Sequence, residues 1–282
     1  MRVALVTVSD RAWANQDVFL EYHRRAGVDV VIVGGATDGV ATAARDDYVR
    51  SIPSTSATTL ARAAADEFGA DWVIPSTPEE FWWPRGESLK DVLAVIPPRY
   101  AVVQALVRPF VSSPSASAGS DVLTRTTRFS LLGPDGAKGA ALQDLLRPVY
   151  RASAGMEIDP ADWTLGGRRV PLRAWYPVEV FRYATDLAPL AEAEVETGLA
   201  DGSLVTDTRL QEAVRAGSGY RFTVPTIVDD ASYAVECAAV GEVDLVQLDR
   251  QIRALEQRIG ELEARFWPTV RRQLRRLARR PS

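Results

Sequence analysis

Cysteine, histidine and methionine are almost missing from this chain of 282 residues, which has one Cys, one His and two Met. With Cys237 alone, neither an intrachain disulfide nor a thiolate zinc cluster can form, and a buried structural thiol in a reducing compartment is the expectation. With His23 alone, sites that need two imidazoles are excluded, zinc hydrolases among them. His23 falls inside a helical pattern and reads as a structural side chain. Long hydrophobic runs are missing as well: residues 2–8 and 29–33 are far shorter than the roughly 20 residues a membrane-spanning helix requires. The first residues pass at once into polar Ser9-Asp10-Arg11, without the length or small-residue cleavage site of a secretory signal, so a cytoplasmic location is expected.

Acidic residues are also missing from the most basic part of the chain. Residues 268–282 hold six arginines (271, 272, 275, 276, 279 and 280) and no acid, although the whole chain carries a net charge of −4. The rest therefore sums to −10, with 27 basic against 37 acidic side chains, and the tail is a separate electrostatic object. What remains is ordinary globular composition, 46% hydrophobic and 25% charged, enough for one large domain with an appendage.

Residues 2–8, 29–33 and 71–75 are short apolar runs of the kind that form buried parallel strands. Helical patterns lie between them over residues 17–26, closed by Gly27, and 58–68, closed by Gly69, each glycine suited to a left-handed helix end. Strands alternating with helices imply right-handed crossovers and a mostly parallel, Rossmann-like α/β sheet. Residues 99–107 predict a further strand. The Ser/Ala/Gly/Pro stretch 112–120 has no periodicity and reads as a solvated connector or an active-site lid.

The pattern changes at residue 245. Leu245, Leu248, Ile252, Leu255, Ile259, Leu262 and Phe266 recur at alternating spacings of three and four, an a/d seam of about three heptads interrupted by Gly260. Residues 1–240 thus form one domain and 245–282 a coiled-coil-like helix with a basic tail. The helix either docks on its own domain or pairs with a second copy through residues 245–266. In the tail, Val270, Leu274 and Leu277 lie on another side from the arginines. Such an element suits peripheral contact with an anionic membrane or a solvated, fraying end; nucleic acid is disfavoured by the acidic body.

The most distinctive segment is Asp71-Trp72-Val73-Ile74-Pro75-Ser76-Thr77-Pro78-Glu79-Glu80-Phe81-Trp82-Trp83-Pro84-Arg85-Gly86. With Leu20-Glu21-Tyr22-His23, Thr37-Asp38-Gly39 and Trp175-Tyr176-Pro177-Val178-Glu179-Val180 in the same order, it resembles bacterial family 2-type glycosyltransferases of the GT-A fold. The likeness is to those related to family 92, over about the first 190 residues. The resemblance implies a nucleotide sugar bound at the carboxyl ends of the parallel strands, where a doubly wound sheet places its ligand. It also implies a D-x-D carboxylate pair holding a divalent cation that offsets charge on the leaving diphosphate.

Here the D-x-D positions read Thr77-Pro78-Glu79, leaving Glu79 as the position for a Mg²⁺ or Mn²⁺ ion, with Glu80 next to it. The acidic pair after the first strand is met by Asp10-Arg11-Ala12, and the acid after the second strand by Gly34-Gly35. Two expected histidines read as arginine, in Gly166-Gly167-Arg168-Arg169 and Arg182-Tyr183. A guanidinium binds a diphosphate bidentately without a metal, so Arg168, Arg169 and Arg182 are candidates to replace the cation. With the only histidine early in the chain, the base towards an acceptor is expected to be a carboxylate, and Glu79, Glu80 and Glu179 are the candidate catalytic residues. Asp10, Asp38, Thr77, Trp82, Trp83, Arg168, Arg169 and Arg182 are the candidate nucleotide- or substrate-binding residues that the resemblance implies. Trp82 and Trp83 read equally as core aromatics, and Asp38 as a helix N-cap. The functional expectation is transfer of a sugar from a nucleotide sugar to a small-molecule or envelope acceptor. Its alternatives are a GT-A-fold binding or scaffold protein that has lost the chemistry, and a different reaction in the inherited cleft.

Overall fold

The computed structural model describes residues 1–9, 15–35, 47–111, 123, 125–130, 145–159, 162–165, 168–169, 172–183, 189–208 and 210. All belong to the first of two units of the chain, Met1–Val240. The heptad helix at 245–266, the basic tail, Cys237 and the 112–120 stretch lie outside the described residues.

The elements of the first half are β1 (Val3–Val8), α1 (Gln16–Arg25), β2 (Val30–Gly34), β3 (Val49–Ile52), α2 (Ala57–Asp66), β4 (Trp72–Ser76), β5 (Glu80–Pro84) and α3 (Leu89–Ala94). There follow β6 (Val102–Phe110), β7 (Thr127–Phe129), β8 (Leu146–Arg151), β9 (Ile158–Asp159), β10 (Asp162–Leu165), β11 (Arg168–Arg169), β12 (Leu172–Tyr183), α4 (Glu192–Asp201) and β13 (Leu204–Thr206). The apolar runs at the start of the chain are strands because both of their faces are covered. Val3 and Leu5 enter one hydrophobic cluster with Phe19 and Tyr22 of α1, while Ala4 and Val6 enter a second with Leu60, Ala61 and Ala64 of α2. Burial on both faces is what a continuous β-branched run, rather than an alternating one, encodes.

The strand order is β3-β2-β1-β4, all parallel, followed by β8, β6, β7 and β13, with β12 and β5 added beyond β6. In register, Thr7 lies beside Val33 on β2 and Ser76 on β4. β8 runs antiparallel to both β4 and β6, so β6, and β12 parallel to it, point the same way as β1. The central sheet is mostly parallel and Rossmann-like, as the sequence implies. A small second sheet, β9-β10-β11, hangs from α2: the Thr58 hydroxyl donates to the Ile158 carbonyl at 2.9 Å, and Arg62 Nε donates to Met156 O at 2.9 Å.

Local chemistry sets the ends. Ser56 and Ser88 cap α2 and α3 by accepting from Thr59 N and Asp91 N, which satisfies backbone donors no helix can pair internally. Gly27 closes α1 at a φ of 99°, where a side chain would be strained and a Cβ would stand 3.2 Å from Ser88 Cβ. The expected strand at 99–107 begins later, at Val102, because Pro97 and Pro98 hold a turn in which Tyr100 N donates to Pro97 O at 3.0 Å. The aromatic run after β4, read as part of a turn, is itself the strand β5. No helix among the described residues is long and apolar enough to cross a membrane.

Candidate functional site

The carboxyl ends of β1, β2 and β4 form one shelf. Its described lining is short and uncharged: Thr7, Ser9, Gly34, Gly35, Ser76 and Thr77. Ser9 N donates to Gly34 O at 2.9 Å, fixing the two chain ends together. The Thr7 hydroxyl is 1% exposed and has no hydrogen-bond partner among the described residues. Gly34 occupies the position where the resemblance expects an acid. A Cβ there would lie 2.2 Å from Ser54 O and 2.8 Å from Leu60 Cδ1, so the segment leading into α2 presses on the strand end and admits no side chain. Asp10 and Asp38, the other acids assigned to this end, lie outside the described residues.

Beyond the shelf the chain turns from β4 into β5, and the character changes. Glu80 is 1% exposed; its carboxylate accepts from Thr77 N at 3.0 Å and from Arg147 Nε at 2.9 Å. Glu179 is fully buried between Arg85, whose Nε lies 3.0 Å away, and Arg108, which is closer still. Burying a carboxylate with two guanidiniums is costly, and geometry and hydrogen bonding must offset the lost hydration. Arg128 and Asp207 form another buried pair, at 2.8 Å, that ties β7 to the end of β13.

Arg182 is the exception. Antiparallel pairing of β12 with β5 sets it directly opposite Glu80, the arrangement in which opposite charges pair across strands. Glu80 instead bonds Arg147, and the half-buried Arg182 makes no ion pair among the described residues. Its neighbour Tyr183 is held in place: Tyr183 N donates to Glu79 O at 2.9 Å, and its ring stacks on Phe110 at 4.7 Å. Glu79, half-buried, is thus brought beside the end of β12 through its backbone.

Trp82 and Trp83 are 0% and 2% exposed, so neither ring face is open to a sugar. Trp82 Nε1 donates to the Ser76 hydroxyl at 2.9 Å, and Trp83 stacks on Phe181 at 5.4 Å. Glu179 is likewise enclosed and has no approach to an acceptor hydroxyl. Thr77 is exposed at the turn. Arg168 and Arg169 stand on β11 in the small second sheet; the structure does not describe their side chains. Glu79, Glu80, Thr77 and Arg182 are therefore brought together at one turn, while Arg168 and Arg169 belong to another sheet.

A divalent cation fits this turn poorly. Glu80 is occupied by Arg147, Thr77 and Pro78 supply no carboxylate, and no group of three His, Cys, Asp or Glu side chains gathers among the described residues. Hard cations need several oxygen ligands.

His23 packs behind β5. It is fully buried; its Nδ1 donates to Phe19 O at 2.9 Å and its Nε2 accepts from Trp82 N at 3.3 Å. Burial lowers its pKa to about 3 against the partial help of the Phe19 carbonyl, so the ring is neutral. It is a strut between α1 and β5, as its helical pattern suggests.

Sequence reasoning missed Arg85, Arg108 and Arg147. The available signal was a lone charge within a run that otherwise reads as a buried strand, as in Val107-Arg108-Pro109 and Leu146-Arg147-Pro148, since such a charge needs a buried partner.

No family model matches the chain, and no curated protein matches it either. Among solved structures it is similar to CMP:2-keto-3-deoxy-manno-octonic acid synthetase complexed with CTP, at 14% identity and a TM-score of 0.33. That match covers 71% of this chain and 98% of the other. It is also similar to the bifunctional IspDF of Campylobacter jejuni, at 8% identity and a TM-score of 0.29, over 54% of this chain and 41% of that one. A mannose-1-phosphate geranyltransferase from Thermus thermophilus matches at 13% identity and a TM-score of 0.27, covering 55% and 51%. The fold assignment rests on the strand order and register described above.

Proposed function

We infer that the protein is a nucleotide-binding transferase of the sugar-nucleotide kind, GT-A-like in fold, in which guanidinium groups do the electrostatic work that a D-x-D metal site does elsewhere. The observation that carries this reading is Arg182: it faces Glu80 across β5 and β12, yet Glu80 is committed to Arg147, which leaves a half-buried guanidinium outside any described ion pair beside the turn after β4. A half-buried cation outside the described ion pairs is a ready partner for an anion, and a diphosphate matches a guanidinium in charge and geometry. The neutral shelf of Thr7, Ser9, Gly34 and Ser76 suits the uncharged end of the nucleotide, at the strand ends where open α/β sheets bind ligands.

Roles follow from placement. Arg182 offsets charge developing on the leaving phosphate, the kind of stabilisation that contributes most when donors are fixed in advance. Arg168 and Arg169 remain candidates for the same anion if β11 borders the cleft. Glu79 is only half-buried at this turn, unlike the enclosed Glu80 and Glu179, and it is the proposed general base towards an acceptor hydroxyl. Glu80 and Glu179 act as positioning residues: they hold Arg147, Arg85 and Arg108. A binding protein that has lost the chemistry is the second reading, supported by the enclosure of Glu179.

The test is a thermal-shift screen of UDP, GDP, TDP, CMP and their sugars, with Mn²⁺ or EDTA, since a ligand selective for the native state raises the melting temperature by mass action. Stabilisation by one nucleotide that survives EDTA is expected. Stabilisation that EDTA abolishes would return a metal to Glu79, and none at all would sink the reading.

A further inference from the structure

A second guanidinium at the carboxyl end of the sheet stands in an unusual position. Arg125 precedes β7 and is half-buried, and its Nε and Nη1 atoms are both shielded from solvent without a hydrogen-bond partner among the described residues. The segment around it is held on both sides. Leu123 is 2% exposed and packs in the main hydrophobic cluster. Thr126 O accepts from Asp207 N at 2.6 Å, and Thr127 O accepts from Val111 N at 3.0 Å. The backbone therefore presents Arg125 in one place, and the unmet donors are not the result of a loose chain end.

Burial lowers the Arg125 pKa, and the Tyr183 hydroxyl only partly offsets it. Tyr183 is 1% exposed and pinned by Phe110, Phe81 and its own backbone bond to Glu79. Shielded donors on a charged group cost more than any other unmet hydrogen bond. In native structures such a group calls for an explanation, and a bound ion is one. The complement of a guanidinium with open donors is an oxyanion, bound through charge-assisted hydrogen bonds.

Arg128 and Tyr183 pair with Phe110 from the two sides of β6, so Arg125, three residues before Arg128, and Arg182 come from segments with β6 between them.

We propose that Arg125 anchors an anionic group, a phosphate or a carboxylate, carried by a second substrate that binds together with the nucleotide. The second-substrate part rests on the transferase reading; the anion site stands without it. An acceptor recognised in this way is acidic, such as a phosphorylated or carboxylated small molecule.

Inorganic phosphate is the probe. Titrated calorimetrically into the full chain, it should bind the wild type, with Arg125→Gln raising the dissociation constant at least tenfold and Arg125→Lys weakening binding by less. Because the glutamine variant removes a shielded charge with unmet donors, its melting temperature in phosphate-free buffer should equal or exceed that of the wild type. Its response to the nucleotide found in the screen should persist. Unchanged phosphate affinity in Arg125→Gln would overturn the proposal, as would a sharp drop in melting temperature in both variants, which would mark a structural role. Loss of the nucleotide response together with the phosphate response would give the site to the nucleotide and end the second-substrate assignment. Phosphate binding through Arg125 without any nucleotide response would keep the anion site and remove the transferase reading.

Discussion

The two halves of the sheet's carboxyl edge are built from different materials. At the ends of β1, β2 and β4 the described lining is hydroxyls and glycines, close-packed and uncharged. Around β5, β6, β8 and β12 it is arginine and glutamate, with Glu80 and Glu179 each buried against guanidiniums. The contrast shows that charge here is sequestered into a few internal pairs, so that a guanidinium left outside them, Arg182 or Arg125, is conspicuous. An arginine outside any ion pair is ordinary at the surface, whereas a half-buried one beside satisfied pairs calls for a reason.

The comparison breaks most visibly at Glu179. Replacing it with alanine removes the buried carboxylate that Arg85 and Arg108 share, and the expected loss is about 3–5 kcal/mol, or a melting temperature roughly 6–20 °C lower. A loss under about 1 kcal/mol by urea denaturation would show that this half is not held by its buried charges. On the neutral half, Gly34→Asp should cost about 1–3 kcal/mol from steric overlap with Ser54 O and Leu60. A variant as stable as the wild type that gained nucleotide binding would show that the strand end does accommodate an acid.

His23 joins the halves, and its expected signature is in pH. Its folded pKa of about 3 lies below the unfolded value of 6.5, so the unfolded chain takes up the proton first. The stability due to the neutral ring is fully present above pH 6.5 and is lost as pH falls towards about 3, at up to about 1.4 kcal/mol per pH unit. In His23→Gln that slope should flatten, though the variant starts from lower stability; an unchanged acid limb would place the titration elsewhere.

The first four strands and two helices were legible because their signals are local. Runs such as Val3–Val8 are continuous where both faces are covered, and Gly27 and Gly69 take positive φ where the helical patterns end. The added strands were less so: β5 is a row of aromatics whose pairing with β12, almost a hundred residues away, no local pattern announces. At the site, residue type suggested carboxylate chemistry at Glu80 and Glu179, but type does not reveal burial. Both carboxylates are held by arginines distant in the chain, Arg147 for one and Arg85 and Arg108 for the other. Arg182 was legible as a cation where the resemblance expects histidine; that it stays outside the described ion pairs depends on Arg147 reaching Glu80 first.

The smallest expected effect on stability is the most telling one for function. Arg182→Gln should change the unfolding free energy by only about 0.5 kcal/mol, since no described pair is broken. The decisive measurement is calorimetric titration of the nucleoside diphosphate selected by the screen into wild type and Arg182→Gln, both in EDTA. Metal-free binding by the wild type, weakened at least tenfold in the variant, is the predicted result. Equal affinity in the two proteins, or no binding until Mn²⁺ is added, would contradict it.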